Sequence, residues 1–371
     1  MNIELQLHTN NDEIDVIAKL SDIDIINDNI TFLLNHLLNI KRISSNNNVI
    51  DYSTEEANEL FRKAKKIILK NENYTGLIIE YGGKVDGYHT IINNEICAIN
   101  YYSCWYPDNF NINVNSTTVK YYTDKYNQMV NGHYDRNRKC FEYTPLDFDC
   151  NILALNNARI ISDYNIDMWY FDRNNDKTAK IYLDEFNKSL KYCMELYKST
   201  RIEKINLCIL PEGNKYDGYI RKRLIVLGGF NEDIERFIHL ITHEIAHNWC
   251  TGANILSWED WLNETTAEWT ALLYDLEENR MGLFSKTIDE RLERTKNYSS
   301  IKTKDGNRPD GVHDNGTILF YKIYKQYGIG TIKQLLTIYN NVEEKSTEEY
   351  LKVINHDLPE IADIIRHGIE E

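Results

Sequence analysis

The chain reads as an α+β protein: an N-terminal antiparallel β-sandwich, then a mixed region, then a mostly helical one. Three observations point there. Over residues 1–155, short β-rich runs recur between Asn, Asp and Gly. From Lys177 helical periodicity is interleaved with strand-like runs. After Glu264 the pattern is helical nearly to the end, broken at Gly328, Gly330 and Pro359. With 371 residues, 42% of them hydrophobic, the chain can build two cores, and the change of pattern divides it into domains 1–155 and 156–371.

In the first domain the strand-like runs are Ile3–Leu7, Ile14–Leu20, Leu77–Tyr81, Ile96–Tyr102 and Val119–Tyr122. Ser44–Asn48 and Asp172–Asp176 read as turns or loops, and Glu55–Lys70 suits a helix or a strand equally. Lys177–Tyr197 is predicted as an amphipathic helix and Ile205–Leu210 as a strand. Gly218–Gly229 reads as one further strand.

The segment Asn231–Cys250 carries Ile234, Phe237, Ile238, Ile241, Ile245 and Trp249 at helical spacing. Asn231 and Asp233 suit the N-cap, and Gly252 supplies a stop. A second helix is predicted over Trp258–Glu277, where Leu262, Ala267, Leu272 and Leu273 are apolar and no Gly or Pro intervenes.

The first of these two helices holds His243-Glu244-Ile245-Ala246-His247. Residues i and i+4 share a helix face, so the two histidines can grip one ion, with Glu244 turned toward a water on it. After sixteen intervening residues comes Glu264, and a third ligand from a second helix would leave the open coordination of catalytic zinc. Glu268 lies one turn past Glu264, placed to accept the free ring N–H of a ligand histidine.

The stretch His243–Trp249 with Trp261-Leu262-Asn263-Glu264 resembles the gluzincin metallopeptidases, above all the aminopeptidase-N family, although its spacer is slightly shorter. The pair Glu264 and Glu268 also resembles the thermolysin pattern. The resemblance implies a thermolysin-like catalytic domain over 156–371 and one Zn2+ per chain. It implies His243, His247 and Glu264 as zinc ligands, and Glu244 as general base. Where the family has an oxyanion-stabilising tyrosine three residues before a glycine, this chain has His313, followed by Gly316. His313 is therefore the expected donor, with Tyr274 or Tyr321 as alternatives. The family's Gly-x-Met-Glu-Asn segment, whose Glu holds a substrate amine, is absent. In its place Gly218–Gly229 would form an edge strand that pairs with bound peptide through Leu224, Val226, Gly228 and Gly229. Weaker matches to the family's N-terminal β-domain run in order through Tyr81-Gly82-Gly83, Cys104-Trp105-Tyr106-Pro107 and Asn131-Gly132.

A net charge of −15 argues against nucleic acid and against an anionic membrane surface. The N-terminus shows no signal peptide, and the seven cysteines form no Cys-x-x-Cys pair, which suits reduced thiols in the cytoplasm. Cys250 is expected to be a buried thiol and not a ligand. The reading is therefore a zinc peptidase acting on peptides or proteins. Its alternatives are a catalytically silent peptide- or partner-binding scaffold and a true aminopeptidase whose amine-binding acid comes from another segment.

Overall fold

The computed structural model describes residues 1–23, 28–59, 62–70, 72, 74–108, 110–111, 113–171, 175–200, 202–211, 217–230 and 233–370. These fall into two compact units, Met1–Ile160 with Trp169–Asp172, and Ile161–Met168 with Arg173–Glu371. The composition is α+β.

In the first unit, Asn2–Asn10 and Glu13–Ser21 form the centre of an eight-stranded sheet, paired antiparallel with Leu5 opposite Ala18. Their alternation explains the pairing: Leu5, Leu7, Val16 and Ala18 are buried while Glu4 and Glu13 stay nearer solvent. The expected all-antiparallel arrangement is corrected at one place. Asn2–Asn10 pairs parallel with Ser116–Tyr122, a geometry that no hairpin can make and that the long intervening chain allows. A three-stranded and a four-stranded sheet complete the unit, and Leu5, Phe32, Ile67 and Ile152 share one core.

Several ambiguities resolve locally. Glu55–Lys70 falls in two antiparallel strands, Tyr52–Glu59 and Arg62–Lys70, where Glu55 faces Lys66 and Glu56 faces Lys65. The run from Ile96 leaves the strand at Ile99, because the Asn100 side chain accepts the Tyr102 N–H and starts a 3-10 turn. At Ser44–Asn48, Asn46 and Asn47 take φ of 48° and 67°, the left-handed pair of a tight hairpin.

The second unit contains eight α-helices among the described residues. They are α1 (Asp176–Leu196), α2 (Ile234–Ala246), α3 (Trp261–Glu277), α4 (Met281–Thr295), α5 (Val312–Tyr327), α6 (Ile329–Asn341), α7 (Thr347–Asp357) and α8 (Pro359–Gly368). None is long and apolar enough to cross a membrane. A five-stranded sheet runs Arg159–Ser162, Ile166–Tyr170, Ile205–Ile209, Leu224–Leu227, Gly218–Arg221. Much of the Asp172–Asp176 loop lies outside the described residues.

The single strand expected over Gly218–Gly229 is instead a hairpin turning at Lys222 and Arg223, where Arg223 has φ 62°. Leu224 and Val226 belong to its inner arm, whose two edges are already taken, by Asn206–Ile209 on one side and Gly218–Arg221 on the other. Their main-chain groups are spent within the sheet, so they cannot pair with a peptide. Gly228 is likewise engaged, its N–H donating to the Asp217 carbonyl. The outer strand on this side of the sheet is Gly218–Arg221.

Candidate metal centre and active site

Helix α2 buries Phe237, Ile238, Ile241 and Ile245, the face that its sequence spacing marks. The ring of Tyr182, from α1, lies over Phe237. The Asp233 side chain accepts the Arg236 N–H and caps the helix; Asn231 lies outside the described residues. His239, His243 and His247 then project from one face at successive turns.

Helix α3 is buried almost all round. Thr266 and Thr270 satisfy their hydroxyls on the carbonyls of Leu262 and Thr266. Asn263 is held by the Ala253 backbone, Asp260 and the Tyr339 hydroxyl, which anchors the loop between the two helices. Between α3 and α5 the approach is close: a Cβ at Gly316 would stand 1.8 Å from Thr265 Oγ1.

These two helices bring His243, His247 and Glu264 together, with one potential ligand atom from each lying within 4.8 Å of the others. His243 Nε2 stands 3.2 Å from His247 Nε2. Glu264 Oε2 is 3.4 Å from the first and 3.7 Å from the second. The far side of each imidazole is held: His243 Nδ1 donates to Glu268 Oε2 at 3.0 Å, and His247 Nδ1 to the Cys250 carbonyl at 2.9 Å. Such bonds orient both Nε2 lone pairs inward.

That arrangement fits a cation. Two inward-facing acceptors repel unless a proton or a metal lies between them, and Glu264 Oε2 is buried with no hydrogen-bond partner. Burial opposes charge on His243, yet the nearby Glu264 and Glu268 carboxylates push it up to about 10, so a bound cation would displace a proton there. Two histidines and one carboxylate are a donor set suited to zinc.

Glu268 sits in a network that sequence periodicity reveals only in part. Besides His243, its carboxylate takes His239 Nε2 at 3.2 Å and Arg291 Nε at 2.9 Å. The other His239 nitrogen donates to Asp275 Oδ2 at 2.6 Å. Burial works against a charged His239, but Glu268 and Asp275 overcome it and raise its pKa to about 9. Arg291 also reaches Asp314 Oδ1 at 2.5 Å, and Arg294 binds the same carboxylate. His239 was legible as one more turn of the His243 face. Arg291 and Asp314 were not, because Arg291 meets Glu268, and Asp314 meets Arg291, from other helices.

Glu244 is buried, and burial raises its carboxyl pKa. It lies by the outer strand, since a Cβ at Gly218 would come within 3.7 Å of its Oε1. His313, in the first turn of α5, puts Nδ1 2.9 Å from Glu264 Oε2 and accepts from Arg308 at Nε2 at 3.0 Å. The contact to Glu264 is close but not aligned as a hydrogen bond. The alternative tyrosines are engaged elsewhere, Tyr274 with Tyr192 and Arg280, Tyr321 with Phe284 and Tyr324. Cys250 is buried, with its Sγ 3.0 Å from the Tyr197 hydroxyl.

No family model matches the sequence, and no curated protein matches it. Solved structures do match in shape. Leukotriene A4 hydrolase from Saccharomyces cerevisiae superposes with a TM-score of 0.67 at 12% identity, over 99% of this chain and 66% of its own. An M1 zinc metallopeptidase from Deinococcus radiodurans gives 0.67 at 14% identity, over 100% of this chain and 93% of its own. An aminopeptidase N family protein from Idiomarina loihiensis gives 0.68 at 10% identity, over 99% and 76%. The chain therefore has the fold of the M1 metallopeptidases.

Proposed function

We propose that the protein is a zinc-dependent peptidase of gluzincin type, with a β-rich N-terminal domain and a thermolysin-like catalytic domain. The observation that carries this reading is the convergence of His243, His247 and Glu264 with Glu244 buried beside them. A zinc ion in that set would lower the pKa of a water toward ~7 and polarise a carbonyl.

The chain's own groups supply the rest. Glu244 takes a proton from the attacking water at its carboxylate and returns it to the leaving amine; its burial-raised pKa suits both halves of that transfer. His313 donates an N–H to the oxygen that gains charge as the carbonyl is attacked. Glu268 keeps the His243 ring turned, and the Cys250 carbonyl does the same for His247.

Peptide pairing passes from Leu224 and Val226 to the outer strand Gly218–Arg221, next to Glu244. Support for a peptide ligand comes from a mutant of the Deinococcus enzyme, solved with a Tyr-Ser-Ala substrate bound. Reaction in the cytoplasm is part of the proposal, supported by seven free, buried cysteines.

Metal analysis combined with digestion of a peptide library tests this. One zinc per chain with internal cleavage supports an endopeptidase, and stepwise N-terminal release an aminopeptidase. Zinc binding without cleavage would overturn the catalytic reading in favour of a binding scaffold.

A further inference from the structure

Arg308 lies just before α5, and its side chain is only 7% exposed. Its Nε donates to Asp260 Oδ2 at 2.6 Å, while a terminal nitrogen reaches His313 Nε2 at 3.0 Å. Asp260 is itself fixed, accepting from Asn263 at 2.8 Å, so the guanidinium is anchored from behind.

A guanidinium has donors and no acceptor. His313 Nε2 must therefore be the acceptor in this bond. In a neutral imidazole the proton then sits on Nδ1, the nitrogen 2.9 Å from Glu264 Oε2. A ring nitrogen that carries a proton offers no lone pair to a cation. The distinction matters because a fourth protein ligand on the His243, His247 and Glu264 set would close it in the manner of a structural zinc site.

We propose that Arg308 is a positioning residue that locks His313 in its Nδ1–H tautomer, making it a hydrogen-bond donor and barring it from serving as a fourth metal ligand. The next residue reinforces the geometry: Asp314 is tied to Arg291 and Arg294, which holds the first turn of α5 in place. His313 thus presents a fixed N–H beside an open ligand set. Its use toward a substrate oxygen rests on the peptidase reading; the tautomer itself does not.

Long-range 1H–15N correlation spectra of histidine-labelled protein, stripped of metal by a chelator, test the tautomer directly. The His313 signals are identified by their loss in His313→Phe. The expected pattern is a protonated Nδ1 and an unprotonated Nε2. The reverse pattern, or an imidazolium with both nitrogens protonated, overturns the proposal.

Arg308→Met should lose the fixed pattern and lower kcat by about 10²–10³-fold, with KM little changed. Arg308→Lys retains a donor toward Nε2 and should recover most of both. Retention of the wild-type tautomer and kcat in Arg308→Met would also overturn it. Because Arg308→Met leaves Asp260 buried without its partner, the double variant Asp260→Asn/Arg308→Met repeats the test with that charge removed. A wild-type protein that shows the Nδ1–H tautomer but cleaves no peptide would sink the peptidase reading alone. Cleavage with the reversed tautomer would sink this proposal alone.

Discussion

The two compact units bury different chemistry. The centre of the first is Leu5, Leu7, Val16, Ala18, Ile79 and Val119, apolar groups contributed by alternate strand positions. The second has its apolar core too, but its α3 helix also buries Asn263, Glu268 and Asp275, with Asp260 just before it and Asp314 on α5. Apolar burial has no direction, so any close-packed filling of the right volume serves. Buried charge is different: each group must find a partner at a set distance and angle, or it costs several kcal/mol. The apolar centre of the first unit is therefore specified by volume, with buried Arg62, paired to Asp108, as its exception, and the second by geometry.

The largest effect that would test this contrast is at Glu244. Glu244→Gln keeps its shape while losing the ability to move a proton, and should lower turnover by about 10²–10⁴-fold with the zinc content of the purified protein unchanged. Near-normal turnover would show that the polar core orders structure without serving chemistry.

Cavity formation in the first unit should come next. Leu5→Ala should cost about 2–5 kcal/mol in denaturant unfolding, with one zinc still bound per folded chain. A loss under about 1 kcal/mol, within the tolerance of volume-conserving swaps, would mean that core is not filled in this way.

Within the polar core the ranking is Glu264 above Glu268. Glu264→Ala removes a ligand oxygen and should abolish tight zinc binding, whereas Glu268→Ala removes only the acceptor behind His243 and should weaken it about 10–100-fold. Chelator competition measures both, and the opposite order would put α3 in the wrong register.

The smallest effect is at the surface of the first unit. A hydrogen bond from Lys120 at 2.6 Å is the main cause that lowers the Glu4 pKa from 4.5 to about 2. A carboxylate depressed in the folded state stabilises above its unfolded value, and that contribution fades as pH falls from about 4.5 toward 2. Glu4→Gln should flatten the melting temperature across that window by removing a small contribution at neutral pH, and leave stability near pH 2 nearly unchanged.

The same division explains what the sequence made legible. Strand positions such as Ile14–Leu20 and helix faces such as Phe237–Ile245 repeat at fixed periods, because burial there follows the local backbone. The metal set was legible for a related reason, since His243 and His247 share one helix face and Glu264 opens the next helix. Register and partnership were less accessible. Whether Leu224 lies at an edge depends on Asn206–Ile209 and Gly218–Arg221 flanking it, and nothing in its own neighbours announces that. The parallel pairing of Asn2–Asn10 with Ser116–Tyr122 joins segments over a hundred residues apart. Arg291 and Arg308 look like ordinary surface charges until the helices that surround them are in place.

Thr265 follows Glu264 directly, and Gly316 comes one helical turn after His313, so the contact of α3 with α5 acts as a gauge between acid and histidine. The separation is set by a methyl group that is not there. An alanine at 316 would wedge the two helices apart at their closest point, and the histidine would retreat from the carboxylate without either residue being touched.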